Sequence, residues 1–258
     1  MFTEKFTPED VKLYYNKMTS SYMEIYGDVI QAFRPTETES LLDYIGRSAG
    51  INWNLKVLDL GCGVAGPAIH FAKRWNANVD GITISDIQLS EGIRKIKEEQ
   101  LGAKINLYLG DYHHLEERII PNNDYDVVLF LESLGHSYDV QSAIKNAYTK
   151  LKKGGGLYIK DFYKRQVENK DEQKKIDRVI SNINKNYTYN TLNLAEVKKA
   201  LKICGFEIQF IKQFDFIDDI KIRYEFELQN NIDIFEGQTE FYPADWLEIK
   251  CVKCNLNE

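Results

Sequence analysis

The stretch VLDLGCGVAGPA, Val57 to Ala68, constrains this chain more than any other. An apolar run carries an acid, Asp59, and glycines follow at Gly61, Gly63 and Gly66 with G-x-G-x-x-G spacing. A helix-like stretch comes next. Glycines at the end of a strand let backbone approach a ligand closely, and the following helix offers its first N–H groups. A strand that turns through such a loop into a helix opens a parallel α/β unit. The loop alone does not choose its ligand. A dinucleotide-binding unit places an acid about twenty residues further on to hold a ribose, and Asp86 falls near that distance. Three features point elsewhere. Asp59 stands two residues before the first glycine, facing the loop's own ligand. The segment before Lys56 is long enough for a cap. One βαβ series is visible, with no second domain for a hydride-transfer substrate.

Strand signals recur at Lys56–Leu60, Val79–Ile84, Ile105–Leu109, Val127–Leu131, Gly156–Asp161, Phe206–Gln213 and Trp246–Lys253, and helical patterns separate the first five. This alternation predicts an α/β fold: a Rossmann-like, seven-stranded, mostly parallel sheet with helices on both faces. The last strand follows a long acidic and aromatic excursion, Asp215–Pro243, with no crossover-helix pattern. It is therefore expected to run antiparallel at the sheet's end. Pro8–Tyr26 reads as a helix broken at Gly27, and Thr36–Ser48 as a second. In NLAEVKKALKICGF, Asn193 caps a helix, Glu196 takes the capping-box position and Gly205 ends it, with Val197, Ala200, Leu201 and Cys204 as the buried stripe. The expected organisation is one domain over 1–258. It has a helical N-terminal cap at 1–50, a cofactor-binding core at 55–161, and lid or acceptor elements at 162–190 and 215–243.

A formal net charge of -6 gives no overall basic field to recruit nucleic acid. The N-terminus MFTEKFTPED has no apolar signal region, and no apolar run approaches the roughly 20 residues that span a bilayer. The expectation is a soluble, cytoplasmic protein with no membrane span. Four cysteines in 258 residues are too few for a disulfide scaffold. Cys251 and Cys254 sit at an odd offset on a strand, so they face opposite sides, and no resident metal is expected. Asp218–Asp219 reads as solvated turn acids rather than a Mg²⁺ site. The oligomeric state is not legible.

VLDLGCGVAG resembles motif I of class I S-adenosylmethionine-dependent methyltransferases, and the order of segments from about residue 55 to the C-terminus is similar to that family. GITIS with Gln88 resembles the second-strand end of the subgroup that includes sterol, tocopherol and prenyl-diphosphate carbon methyltransferases and sarcosine-type N-methyltransferases. GDYHHL resembles the segment in which an acid meets the adenine amino group. LKKGGGLYIKDF resembles the turn into the fifth strand. The resemblance implies S-adenosylmethionine as cofactor. Its amino acid end lies on Gly61 and Gly63, its ammonium is received by Asp59, its ribose by Thr83, Ser85 or Gln88, and its adenine by Asp111 with Tyr112 beside it. No phosphate needs neutralising, which agrees with a loop lacking Lys and Arg.

The acceptor is addressed by FLESLGHSYD, residues 130–139, where an apolar strand ends abruptly at Glu132. That carboxyl edge is where ligands sit in doubly wound sheets. His136 follows four residues later, at helical spacing. Glu132–Ser133 resembles the pair in geranyl-diphosphate C-methyltransferases, whose acid acts as base after methylation of an alkene. Glu132, His136 and Asp139 resemble the pattern of sterol methyltransferases. Phosphoethanolamine N-methyltransferases also carry an acid and a histidine at this spacing, the histidine paired with an N-terminal tyrosine; here Phe6 falls at that tyrosine's place. Aromatic faces stabilise the carbocation that alkene methylation creates. Tyr14, Tyr15, Tyr22 and Tyr26 crowd the N-terminal helix, and Phe214, Phe216, Tyr224, Phe226, Phe235, Phe241 and Tyr242 the late excursion. The expected acceptor pocket uses Tyr14, Tyr15, Tyr22 and Phe214, with Glu132 and His136 catalytic. The expected acceptor is a small or lipid-like molecule, first an isoprenoid alkene carbon of a prenyl diphosphate or sterol-like compound. N-methylation of a small amine or phosphobase is the alternative. A non-catalytic cofactor-binding protein and an NAD(P)-dependent oxidoreductase are the readings from other classes.

Overall fold

The computed structural model describes residues 5–32, 34–116, 119–214, 221–238 and 241–254. Phe216 and Asp218–Asp219 lie outside the described residues. Seven strands form one sheet: β1 (Lys56–Leu60), β2 (Asn78–Thr83), β3 (Ile105–Leu109), β4 (Tyr125–Leu131), β5 (Leu151–Lys164), β6 (Phe206–Gln213) and β7 (Ala244–Lys253). Their spatial order is β3-β2-β1-β4-β5-β7-β6. The first five run parallel, and β7 runs antiparallel to both of its neighbours. The last strand is thus antiparallel as expected, but it lies between β5 and β6, not at the end. The edge belongs to β6, whose alternating exposure suits an edge strand.

The chain builds outward from β1 to β2 and β3, then returns to lay β4 and β5 on β1's other side. That reversal opens a crevice beyond the carboxyl ends of β1 and β4. Both strands are apolar and buried on both faces, as central parallel strands are. Leu58, Leu60, Phe130 and Ile159 join one core, and Val57, Leu129, Leu131 and Tyr158 the other.

Helix α1 (Pro8–Tyr26) starts on a reciprocal cap: Thr7 accepts from the Asp10 N–H, and Asp10 accepts from the Thr7 N–H at 2.8 Å. The remaining helices are α2 (Glu39–Ala49), α3 (Gly66–Trp75), α4 (Asp86–Glu98), α5 (Val140–Lys150), α6 (Lys170–Tyr187), α7 (Leu194–Cys204) and α8 (Lys221–Gln229). Asn193 caps α7 by accepting from the N–H groups of Ala195 and Glu196, and Gly205 closes it in the left-handed region. The excursion expected to lack a helix holds α8. Its nine residues bury Ile222 and Phe226, one turn apart, too short a stripe to read as helical periodicity. Among the described residues no helix is long and apolar enough to cross a membrane.

Candidate active site

The loop after β1 is shaped by two backbone bonds: Gly61 and Cys62 both donate to the Ile82 carbonyl, at 3.0 and 2.9 Å. Gly61 has φ +101°, and a Cβ there would lie 2.4 Å from Ser133 Cβ. Gly61 is therefore glycine because its φ and the β4 loop leave no room for a side chain. Gly63, at φ +54°, would send a Cβ into open space, so its missing side chain leaves room on the loop. A Cβ on Gly66 would meet the Asp28 carbonyl oxygen at 2.1 Å, so the third glycine admits the connection after α1.

Asp59 is buried at the end of β1, and its Oδ2 has no hydrogen-bond partner among the described residues. Burial pushes its carboxyl up to about 7. A buried acid oxygen without a partner is a place where a cation would be received, although Asp59 itself lines neither of the two cavities at this crevice. Gly61, Gly63, Thr83, Gln88, Asp111 and Tyr112 line one cavity of about 80 Å³ at this crevice. Thr83 donates to the Gln88 side chain at 2.8 Å. Burial works against the Asp111 carboxylate, but side-chain and backbone hydrogen bonds from His113 outweigh it and hold its pKa below the usual range. The Tyr112 hydroxyl donates to the Ser133 carbonyl at 2.9 Å. Ser85 is a correction: it is buried off the cavity wall, caps α4 by accepting from the Gln88 N–H, and donates to Asn16 at 2.6 Å.

A second cavity of about 300 Å³ adjoins the first. Its wall is mostly apolar and aromatic: Tyr22 stacks on Phe226 at 4.2 Å, and Phe162 on Tyr189 at 4.7 Å. Arg223 and Glu227 pair at 2.8 Å on this wall, and Tyr187 also donates to Glu227. Of the four aromatics expected in an acceptor pocket, Tyr15 and Tyr22 line this cavity, and Tyr14 and Phe214 do not. Tyr14 lies behind the wall with its hydroxyl on that of Tyr22, and Phe214 is buried in the core against Tyr44 and Lys160. Four residues, Tyr15, Ile30, Glu132 and His136, belong to both cavities. Helix α1 roofs both, through Pro8, Val11 and Tyr15 on one side and Tyr15, Tyr22 and Tyr26 on the other.

Glu132 ends β4 in the left-handed region, φ +53°, where a residue with a side chain is strained. Its Oε1 pairs with Lys160 of β5, and its Oε2 accepts from the Ala32 N–H at 2.7 Å. Lys160 is fully buried, also donates to Gln31 at 2.6 Å, and stands 4.6 Å from the Phe214 ring centre. The site's negative charge is thus fixed in place by a buried cation. The sequence signal for that cation is a lysine and an aspartate inside the otherwise apolar strand segment GLYIKDF.

His136 closes a short turn, Leu134–His136. Its Nδ1 lies 2.9 Å from the Thr188 carbonyl oxygen, which can only accept, so Nδ1 carries the proton. Its Nε2 then accepts from the Tyr15 hydroxyl at 2.8 Å. Burial depresses its pKa to about 4, so the ring is neutral near pH 7. A tyrosine thus meets His136 from within α1, nine residues after Phe6.

The model of the methyltransferase domain family matches residues 51–216 of this chain. The chain belongs to that family. A sterol 24-C-methyltransferase of Aspergillus fumigatus is 32% identical to this methyltransferase domain over 154 residues, 56% of this chain and 40% of that protein. The chain spans about half the length of the curated relatives it matches, 52% of one from Neurospora crassa and 58% of one from Yarrowia lipolytica. Among solved structures, the cyclase SpnF superposes with a TM-score of 0.79 at 17% identity, covering 98% of each chain. Geranyl diphosphate C-methyltransferase from Streptomyces coelicolor superposes with a TM-score of 0.73 at 14% identity, covering 95% of this chain and 97% of that one. The family's methyl donor, S-adenosylmethionine, fits the residues present: a cationic amino group answers the unpartnered Asp59 oxygen, and the open backbone at Gly63 admits the amino acid end.

Proposed function

We propose that this protein transfers a methyl group from S-adenosylmethionine to an alkene carbon of an isoprenoid-like acceptor, a prenyl diphosphate or a sterol-like molecule. One observation carries the reading: a glycine-loop cavity and an aromatic cavity meet at Tyr15, Ile30, Glu132 and His136. Gly63 and Asp59 hold the donor's amino acid end, Thr83 and Gln88 its ribose, and Asp111 with Tyr112 its adenine. The donor supplies a sulfonium methyl for in-line displacement. The alkene π electrons form the new C–C bond as the S–C bond breaks, leaving the cation on the acceptor. Aromatic faces and the pinned Glu132 carboxylate stabilise that cation. The proton beside it is so acidic that a weak base suffices, provided it is positioned. Glu132, whose two oxygens offer about four acceptor sites, takes it, with His136 as its neighbour. The relatives' name, sterol 24-C-methyltransferase, supports a carbon acceptor.

One feature favours a second reading, N-methylation of a small amine: the Tyr15–His136 pair places a histidine at the junction. A histidine depressed to about 4 is a poor base for an ammonium group, and the wall is apolar, so carbon stands first. We place the reaction in the cytoplasm, in keeping with four unpaired cysteines. The test is mass spectrometry for gain of one methyl across prenyl diphosphates, sterols, phosphobases and small amines. Methylation of amines alone would sink the carbon reading.

A further inference from the structure

The turn after α6 touches the junction and the roof at once. The Thr188 carbonyl, at a residue held at φ +50°, accepts from His136 Nδ1. The Tyr189 ring packs 4.3 Å from the His136 ring and fills the space a Gly135 side chain would need. Its hydroxyl donates to Asp161 at 2.6 Å, and the other Asp161 oxygen accepts from the Gly135 N–H at 3.1 Å. The Asn190 N–H donates to the Gly135 carbonyl at 2.6 Å. This backbone leaves the Asn190 carboxamide for a different element. Its Oδ1 accepts from the Phe6 N–H at 3.0 Å, and its Nδ2 donates to the Phe6 carbonyl at 3.1 Å. A side chain thus satisfies both backbone groups of Phe6, as a neighbouring strand would. Phe6 immediately precedes the cap of α1, so holding it holds the start of the helix. Further along α1, Tyr15 reaches His136 from the other side.

We propose that Asn190 is the latch of the N-terminal roof, a positioning residue that ties closure of α1 to the turn carrying His136. The roof is fastened to the turn after α6 and the turn carrying His136 by Phe6–Asn190 and Tyr15–His136, with Lys5 Nζ also donating to the Tyr138 carbonyl at 3.1 Å. The donor-cavity residues Pro8 and Val11 lie between Phe6 and Tyr15 in sequence. Releasing Phe6–Asn190 loosens the helix start over the donor cavity while the sheet stays intact. The α1 geometry carries this placement; its consequence for turnover rests on the methyl-transfer reading.

The test is hydrogen exchange by mass spectrometry on the full chain, without ligand and with saturating S-adenosylhomocysteine, for wild type, Asn190→Ala, Asn190→Asp, Phe6→Pro and the Asn190→Ala/Phe6→Pro double variant. Two lost hydrogen bonds should speed exchange roughly tenfold or more in residues 5–15 and in the turn 134–138, with the central strands unchanged. S-adenosylhomocysteine should dissociate faster by a similar factor. Asn190→Asp keeps the acceptor for the Phe6 N–H and should be intermediate. Phe6→Pro removes that N–H, and the double variant should be no worse than Asn190→Ala, because both break one link. Acceleration spread over the whole chain with a matching fall in Tm would reduce Asn190 to a structural role, and unchanged exchange or additive effects would overturn the latch. If wild type fails to bind S-adenosylhomocysteine, the methyl-transfer reading fails, while the ligand-free exchange comparison still decides the latch.

Discussion

Replacing Lys160 by methionine tests how the junction carboxylate is held. In the wild type a fully buried ammonium pairs with Glu132 Oε1 and donates to Gln31. Lys160→Met keeps the volume and removes the charge, leaving Glu132 buried with the Ala32 N–H as its other bond. Breaking one side of a buried pair costs about 3–5 kcal/mol, which for a chain of this size lowers Tm by roughly 6–20 °C. The double variant Lys160→Met/Glu132→Gln removes both charges. It leaves the Gln31 oxygen without this donor, a cost of about 1–3 kcal/mol, so it should be more stable than the single variant. Urea melts of wild type, both singles and the double give the coupling energy, expected to be about 2 kcal/mol. A double variant as unstable as the sum of its parts would refute the idea that Lys160 exists to fix Glu132.

With the carbon acceptor, Glu132→Gln should lower kcat about 10²–10⁴-fold while leaving S-adenosylhomocysteine affinity nearly intact in calorimetry, and His136→Asn should be milder; the reverse order would select the amine reading. Gly63→Ala should weaken S-adenosylhomocysteine binding with a modest fall in Tm from strain at φ +54°, whereas Gly61→Ala should lower Tm more, because its φ is +101° and its Cβ meets Ser133; equal effects in both assays would remove the distinction between the two glycines. His136, held at about 4 against 6.5, contributes stability that is fully present above 6.5 and lost as pH falls toward 4. The difference in unfolding free energy between wild type and His136→Asn should therefore shift by about 3 kcal/mol against wild type over that window. Burial holds Asp59 and Asp161 at about 7, and they act in the opposite direction, losing stability as pH rises from 3.8. Both are shared by the two proteins and cancel; a flat difference would mean that His136 is not buried as a neutral ring.

The sheet was legible because the parallel strands are short, largely apolar runs and helices follow β1, β2, β4 and β5. The helical pattern expected between β3 and β4 is not a helix among the described residues, while β1, β3 and β6 have the bounds their patterns predict. The place of β7 was not legible, because the excursion before it holds α8 and the choice of neighbours depends on long-range pairing. At the site, Glu132 and His136 were visible as polar residues ending an apolar strand. Lys160 and Ala32, which hold Glu132, come from distant segments and meet it only through the fold. Tyr14 and Tyr15 are indistinguishable by composition. One turns to a neighbouring tyrosine and the other to His136, a difference of helical phase. Ser85 carried the right chemistry for a ribose, yet the helix cap claimed it first.

Helix α1 lines both cavities, so a movement of the helix that opens one also opens the other. Product fidelity then depends on timing. If the acceptor is an alkene carbon, as proposed, a carbocation formed under a closed roof has Glu132 as its outlet and yields an alkene. One uncovered too early meets solvent and is trapped as a methylated tertiary alcohol. The ratio of alcohol to alkene among the products is therefore a clock for the roof, readable from chromatography without labelling the protein.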